Sequence, residues 1–148
     1  MQLSKHRILY IEDHEDTREL ITLVLQQQNF DVVTGSTVAR GVELAESGQF
    51  DLYLLDSWLP DGSGLDLCRS IRIFDQTTPI LFYSAAAYEA DRELALESGA
   101  QAYLIKPTQT TELCSLVRSL IEKFHSDFTS SALSSSSRHS HRPELSEE

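Results

Sequence analysis

Along this chain, short apolar runs alternate with longer stretches in which apolar residues recur at helical spacing. Arg7 to Ile11 is a compact apolar run that ends in Glu12 and Asp13. Thr17 to Gln28 places Leu20, Ile21, Val24 and Leu25 on one helical stripe, with Asp16 or Thr17 as its cap. Phe30 to Thr34 reads as a strand, Gly35-Ser36 as a turn, and Val38 to Ser47 as a helix stopped by Gly48. Leu52 to Leu55 is unbroken apolar sequence, too short for a helix, which is how a strand buried on both faces reads. It ends on Asp56, and Pro60, Asp61, Gly62 and Gly64 mark a turn before a helix running to about Phe74. Ile80 to Tyr83 is a strand ending at Ser84, and Tyr88 to Ser98 is a helix with Gly99 as its stop. Ala102 to Ile105 is a fifth strand, ending in Lys106-Pro107. Thr108 to Phe124 closes the pattern as a helix with Leu113, Leu116, Val117, Leu120 and Ile121 along one face.

Five strands alternating with five helices imply right-handed crossovers and a parallel sheet covered on both faces, a doubly wound α/β fold. Residues 1–125 are expected to form this single domain. From residue 126 the character changes, and serine supplies 9 of the last 23 residues. That segment cannot bury enough surface to offset its ordering entropy, so 126–148 is expected to be a disordered tail. A second domain is not expected after it, so output would pass to a partner by contact.

Composition narrows the function. Hydrophobic residues make up 41% of 148, enough for one core of ordinary size. No apolar run approaches the roughly 20 residues of a membrane helix, and the N-terminus does not read as a signal peptide. Cys68 and Cys114 stand alone in helical patterns and read as reduced core thiols. A cytoplasmic protein without membrane contact is the expectation. Net charge is −11, and residues 1–125 alone carry 10 basic against 19 acidic side chains. An acidic surface repels phosphate backbones, so direct binding of nucleic acid is not expected. His139 and His141, in the tail, are too sparse for a zinc site.

The candidate chemistry emerges when the strand ends are laid side by side. In an open parallel sheet, ligands bind outside the carboxyl ends of the strands. Those ends supply Glu12, Asp13, Asp56, Ser84 and Lys106. Each alone has an ordinary explanation as a helix cap or a solvated charge. Together they place three carboxylates, a hydroxyl and an ammonium in one crevice. Clustered carboxylates resist ionisation unless a cation joins them, and an all-oxygen donor set favours Mg²⁺. Lys106 could then pair with a bound phosphate.

These residues resemble the receiver domain of response regulators, the phosphoacceptor module of two-component signalling, here of the stand-alone type. The resemblance covers residues 6 to about 125. It rests on Glu12-Asp13, on Leu54-Leu55-Asp56 followed by Leu59 to Gly64, and on Ser84, Tyr103 and Lys106-Pro107. It implies a flavodoxin-like sheet in the order 2-1-3-4-5, with two helices on one face and three on the other. It also implies that Asp56 accepts a phosphoryl group from a histidine kinase or phosphotransfer protein. Asp13, Asp56 and the backbone carbonyl of Trp58 would hold Mg²⁺, with Glu12 reaching the ion through water. Lys106 would contact the phosphoryl group. Ser84 would move toward it and Tyr103 would change rotamer, switching the surface of the fourth helix, fifth strand and fifth helix for a downstream protein target. Such a module is not an enzyme in the ordinary sense, although it assists its own phosphorylation and dephosphorylation. A cis Lys106–Pro107 peptide is implied as well.

Two residues depart from the family pattern: Glu12 stands where Asp is frequent, and Ser84 where Thr is commoner. Neither removes the chemistry. Competing readings fit less well. A haloacid-dehalogenase-type phosphatase needs a second Asp two residues after the nucleophile, and Trp58 occupies that position. Glycine-rich nucleotide-binding motifs are absent. A receiver-like module that is never phosphorylated usually loses the acidic pair, the acceptor or the lysine, and all are present. His14 reads as a solvated loop residue, and Trp58 as either a surface anchor or a half-buried loop aromatic.

Overall fold

The computed structural model describes residues 5–126. Five strands form its sheet: β1 (Arg7–Ile11), β2 (Asp31–Gly35), β3 (Leu52–Leu55), β4 (Ile80–Ser84) and β5 (Ala102–Ile105). The helices between them are α1 (Glu15–Gln27), α2 (Val38–Ser47), α3 (Gly64–Phe74) and α4 (Glu89–Glu97). A fifth helix, α5, covers residues 110–126. All strand pairs in the sheet are parallel and the order is β2-β1-β3-β4-β5, as expected. The Lys106–Pro107 peptide is cis. The expected tail falls outside the described residues, apart from its first position.

Alternation along each strand divides the core in two. Leu9, Ile11, Tyr53, Leu55 and Phe82 point to one face and meet Ala45 of α2, Leu67 and Ile71 of α3, and Ala95 of α4. Ile8, Tyr10, Leu52, Leu54 and Leu81 point to the other face, against Ile21 and Leu25 of α1 and Leu113, Val117 and Ile121 of α5. Two helices therefore cover one face and three the other. β3 lies at the centre of the sheet and is wholly buried, which explains its uninterrupted apolar run. Cys68 and Cys114 are buried free thiols, one on each face.

Several local outcomes add to the sequence expectation or differ from it. Helix α1 starts at Glu15 rather than Thr17, because His14 is its cap: the imidazole Nδ1 accepts the Thr17 N–H at 3.2 Å. A ring nitrogen takes the place here of the usual Ser, Thr, Asp or Asn oxygen. The turn after Asp56 is a small hairpin in which Trp58–Leu59 pairs antiparallel with Gly62–Ser63. Asp61 at its tip accepts the Val38 and Ala39 N–H groups at 2.7 and 3.0 Å, so the hairpin also caps α2. Ser63 and Asp66 then start α3 as a reciprocal capping box.

Candidate functional site

Every side chain of interest lies at the carboxyl edge of the sheet, where each strand gives way to a loop. Glu12 follows β1 and is 1% exposed. Its Oε1 accepts from Lys106 Nζ at 2.6 Å and from the Tyr10 hydroxyl at 3.3 Å, and its Oε2 accepts the His14 N–H at 3.2 Å. Asp13, next in sequence, is exposed at the mouth. Asp56 follows β3 and is 7% exposed. Its N–H continues the sheet by donating to the Ile11 carbonyl at 3.0 Å, and its Oδ1 accepts the Ser57 N–H at 2.8 Å. One carboxylate oxygen from each of Glu12, Asp13 and Asp56 lies within 4.8 Å of the others.

Lys106 answers this charge from the end of β5. Its ammonium lies 2.6 Å from Glu12 and 3.7 Å from Asp56, with the Tyr83 ring 5.4 Å away. One cation against three carboxylates leaves the crevice acidic. Burial, reinforced by the negative charge of Glu12, pushes the Asp56 carboxyl up to about 7, against the opposing pull of Lys106. Burial likewise drives the Tyr10 hydroxyl well above its ordinary range, so it remains a hydrogen-bond donor to Glu12. The donor set fits a hard divalent cation: three converging carboxylates, two of them buried, with too little positive charge around them.

Ser84 and Tyr103 form a second group beside the first. Ser84 is fully buried at the end of β4, and its Oγ accepts the Ala86 N–H at 3.0 Å. The Tyr103 hydroxyl donates to the Ala86 carbonyl at 2.6 Å, while its ring stacks on Phe82 with centroids 5.8 Å apart. Both residues therefore hold Ala86, one through its N–H and the other through its carbonyl. Lys106 joins this strand end through its own N–H, which donates to the Ser84 carbonyl at 2.8 Å. Trp58, two residues after Asp56, is 62% exposed, so its ring is an exposed hairpin aromatic rather than a half-buried one. It borders a small cavity together with Ser57, Ser63, Leu65, Phe82, Ala86 and Asp91.

The roles of two supporting residues, and the backbone role of a third, went unread in the sequence. Tyr10 looked like any core position of β1, yet its hydroxyl reaches Glu12. Ala86 has no polar side-chain group, yet its backbone N–H and carbonyl bind Ser84 and Tyr103. Gly64 looked like one more turn glycine. A Cβ there would lie 2.2 Å from the Asp56 carbonyl oxygen, and the Gly64 N–H donates to the Ser57 carbonyl at 2.8 Å. Only glycine allows the hairpin to close this tightly over the backbone of Asp56.

The fold is thus a doubly wound parallel sheet that carries an acidic triad, a lysine and a buried hydroxyl at one edge. Residues 8–118 match the response regulator receiver domain. The chain belongs to that family. It is 38% identical over 127 residues to a probable transcriptional regulatory protein of Picosynechococcus, covering 81% of this chain and 51% of that one. It is 40% identical over 126 residues to the alkaline phosphatase synthesis transcriptional regulatory protein SphR of Synechococcus elongatus, covering 79% and 49%. The receiver domain of a sensor histidine kinase from Pseudomonas aeruginosa superposes with a TM-score of 0.75 at 29% identity, over 80% of this chain and 99% of that one. That structure has a magnesium ion coordinated in its active-site cleft.

The chain thus spans about half the length of the curated relatives it matches. These relatives are named transcriptional regulators, and this overturns the expectation of no direct nucleic-acid contact. The expectation failed because acidic charge describes the surface of the receiver domain alone. It carries no information about what a regulator of this kind does with the rest of its length. No helix among the described residues is long and apolar enough to cross a membrane.

Proposed function

We propose that Asp56 is the phosphoacceptor of this receiver domain, taking its phosphoryl group from a phosphohistidine on a histidine kinase or phosphotransfer protein. The observation that carries this reading is the convergence of Glu12, Asp13, Asp56 and Lys106 in one crevice. An ionised Asp56 oxygen attacks phosphorus in line. The P–N bond breaks, its electron pair stays on the departing imidazole, and an aspartyl phosphate remains. Such a transfer asks the protein for positioning and charge neutralisation rather than for proton chemistry. Asp13, Asp56 and the Trp58 carbonyl are the groups that would hold Mg²⁺, beside Glu12. When bound, the ion would supply the positive charge that lets Asp56 ionise and a phosphate approach. Lys106 is placed to pair with the incoming phosphoryl oxygens, exchanging its contact with Glu12 for one with the ligand. The chain assists these steps without being an enzyme on another substrate. Two buried unpaired thiols suit a reducing compartment, and we place the domain in the cytoplasm.

Signalling would start at Ala86. If the Ser84 hydroxyl turns toward the phosphoryl group, it releases the Ala86 N–H. Ala86 also supplies, from its other side, the carbonyl that holds Tyr103, so a shift of this residue would free the ring to change rotamer. Chemistry at Asp56 would reach the α4–β5–α5 surface by this route. The reading is tested by incubating the protein with acetyl phosphate and following intact mass. One phosphoryl group is gained with Mg²⁺ and none with excess chelator; equal labelling in both conditions contradicts it.

The lifetime of the phosphorylated state is a separate prediction. Hydrolysis needs a water in line with phosphorus, opposite the Asp56 oxygen. Trp58 and Ala86 flank that approach, and neither side chain offers an acceptor to orient the water. Slow decay is therefore expected. After removal of the phosphodonor in excess Mg²⁺, Trp58→Asn should lose its phosphoryl group faster than wild type, because an amide can position water. Equal or slower decay would show that the indole does not guard the path.

A further inference from the structure

We propose that His6, Asp51 and His125 form a second metal site, suited to Zn²⁺, at the end of the sheet opposite the acidic crevice. His6 immediately precedes β1, Asp51 immediately precedes β3, and His125 lies in the last turn of α5. β1 and β3 are neighbours in register, Ile8 against Leu52, so the first two residues start adjacent strands. Asp51 and Asp56 bracket β3, which sets the two sites about 16 Å apart along the strand.

The distances favour a shared cation over direct hydrogen bonds. His6 Nδ1 lies 3.6 Å from Asp51 Oδ2, and His125 Nε2 lies 3.6 Å from Asp51 Oδ1. An N–H···O bond closes to about 2.7–3.2 Å, so both pairs stand too far apart for one. Two ligands held about 2.0–2.1 Å from a tetrahedral zinc ion lie about 3.4 Å from each other. One ligand atom from each of the three residues falls within 4.8 Å of the others. The imidazole centroids are 5.5 Å apart and tilted by 36°, so the rings do not stack face to face. Asp51 is also held in place: its Oδ2 accepts the Arg7 N–H at 2.7 Å, the kind of outer contact that orients a metal-bound carboxylate. The Arg7 guanidinium points elsewhere, 4.7 Å over the Phe50 ring and toward Asp31.

Donor chemistry sets the cation. Two imidazoles and one carboxylate match Zn²⁺ and its first-row neighbours, whereas Mg²⁺ takes oxygen ligands and leaves imidazole alone. The two ends of β3 would thus sort metals by ligand type. Both histidine side chains are about half exposed, leaving room for water at a fourth position. A cation here would tie the start of β1 and the start of β3 to the end of α5. Metal binding to the folded form alone would raise its stability by mass action.

The test titrates the full chain with Zn²⁺ by calorimetry, with Mg²⁺ in excess to occupy the acidic crevice. One equivalent should bind, and the thermal midpoint should rise with Zn²⁺. His6→Gln and His125→Gln should each weaken binding at least about tenfold and abolish the rise. Their midpoints without Zn²⁺ report whether folding is intact. The paired change His139→Gln with His141→Gln controls for binding in the tail, and Asp56→Asn controls for binding in the crevice; both should leave the titration unchanged. Absence of Zn²⁺ binding, wild-type affinity in either His6→Gln or His125→Gln, or loss of binding in either control would overturn the site.

Discussion

Asp56→Asn should melt at a higher temperature than wild type at pH 8 in the absence of divalent metal, and the gap should close toward pH 5. Burial first, and the charge of Glu12 second, raise the Asp56 carboxyl from 3.8 to about 7 in the folded protein. The folded state therefore binds this proton more tightly than the unfolded chain does. A raised folded-state value contributes stability below the unfolded value, and that stability is lost as pH climbs through about 7. Between about pH 4 and 7, wild type should lose stability as pH rises; above that window the ionised carboxylate costs its full amount. That rise corresponds to a ceiling of about 4 kcal/mol. An amide escapes that cost, in which the pull of Lys106 is already included, so a gain of about 1–3 kcal/mol, inside that ceiling, is expected at pH 8. For a domain of this size each kcal/mol moves the midpoint by about 3–5 °C. Calorimetric melts with chelator at both pH values check the prediction, and an equal or lower midpoint for the variant at pH 8 contradicts it.

Replacing the ammonium should have the largest kinetic effect. In Lys106→Ala, the rate of phosphorylation by acetyl phosphate should fall by about 10²–10³, the usual loss when one preorganised donor to a developing charge is removed. The same change strips Glu12 of its 2.6 Å partner and Asp56 of its nearest cation. Removing one partner of a buried pair typically costs about 3–5 kcal/mol, and protonation of Asp56 should recover part of it below neutral pH. Mg²⁺ binding should respond in the opposite direction. Lys106 and the metal compete for the same carboxylates, so the variant should bind Mg²⁺ more tightly. Stopped-flow fluorescence of Trp58 and metal titration separate the two effects. A wild-type phosphorylation rate, or weaker Mg²⁺ binding, would show that Lys106 does not divide its time between the acids and the phosphate.

The strands were legible in the sequence because each is a short apolar run ending in a polar residue of distinct chemistry. That ending is also why Glu12, Asp13, Asp56, Ser84 and Lys106 could be placed at one edge before any coordinates were known. The run Arg7 to Ile11 did not by itself divide the faces; in the structure Ile8 and Leu9 fall in the two opposite core clusters, as strand alternation requires. What escaped notice depends on backbone geometry or on roles that residue type does not advertise. The His14 cap is invisible to a search for oxygen-bearing caps. Close approach at Gly64 requires the hairpin, which four residues of turn sequence did not specify. Ala86 connects Ser84 to Tyr103 through its backbone N–H and carbonyl, a role that its methyl side chain does not advertise. His6, Asp51 and His125 are separated by most of the chain and meet only because β1, β3 and α5 share one end of the fold.

The central claim is that the phosphoryl group resides on Asp56, and chemical trapping locates it most directly. Borohydride reduces an aspartyl phosphate to the corresponding alcohol, leaving a stable mark at the acceptor. The protein is phosphorylated with acetyl phosphate and Mg²⁺, reduced, digested and sequenced by mass spectrometry. The account predicts the reduced side chain at position 56 and nowhere else. A mark at Glu12, Asp13 or Asp61, or an unmodified Asp56 in protein that has gained one phosphoryl mass, would contradict it.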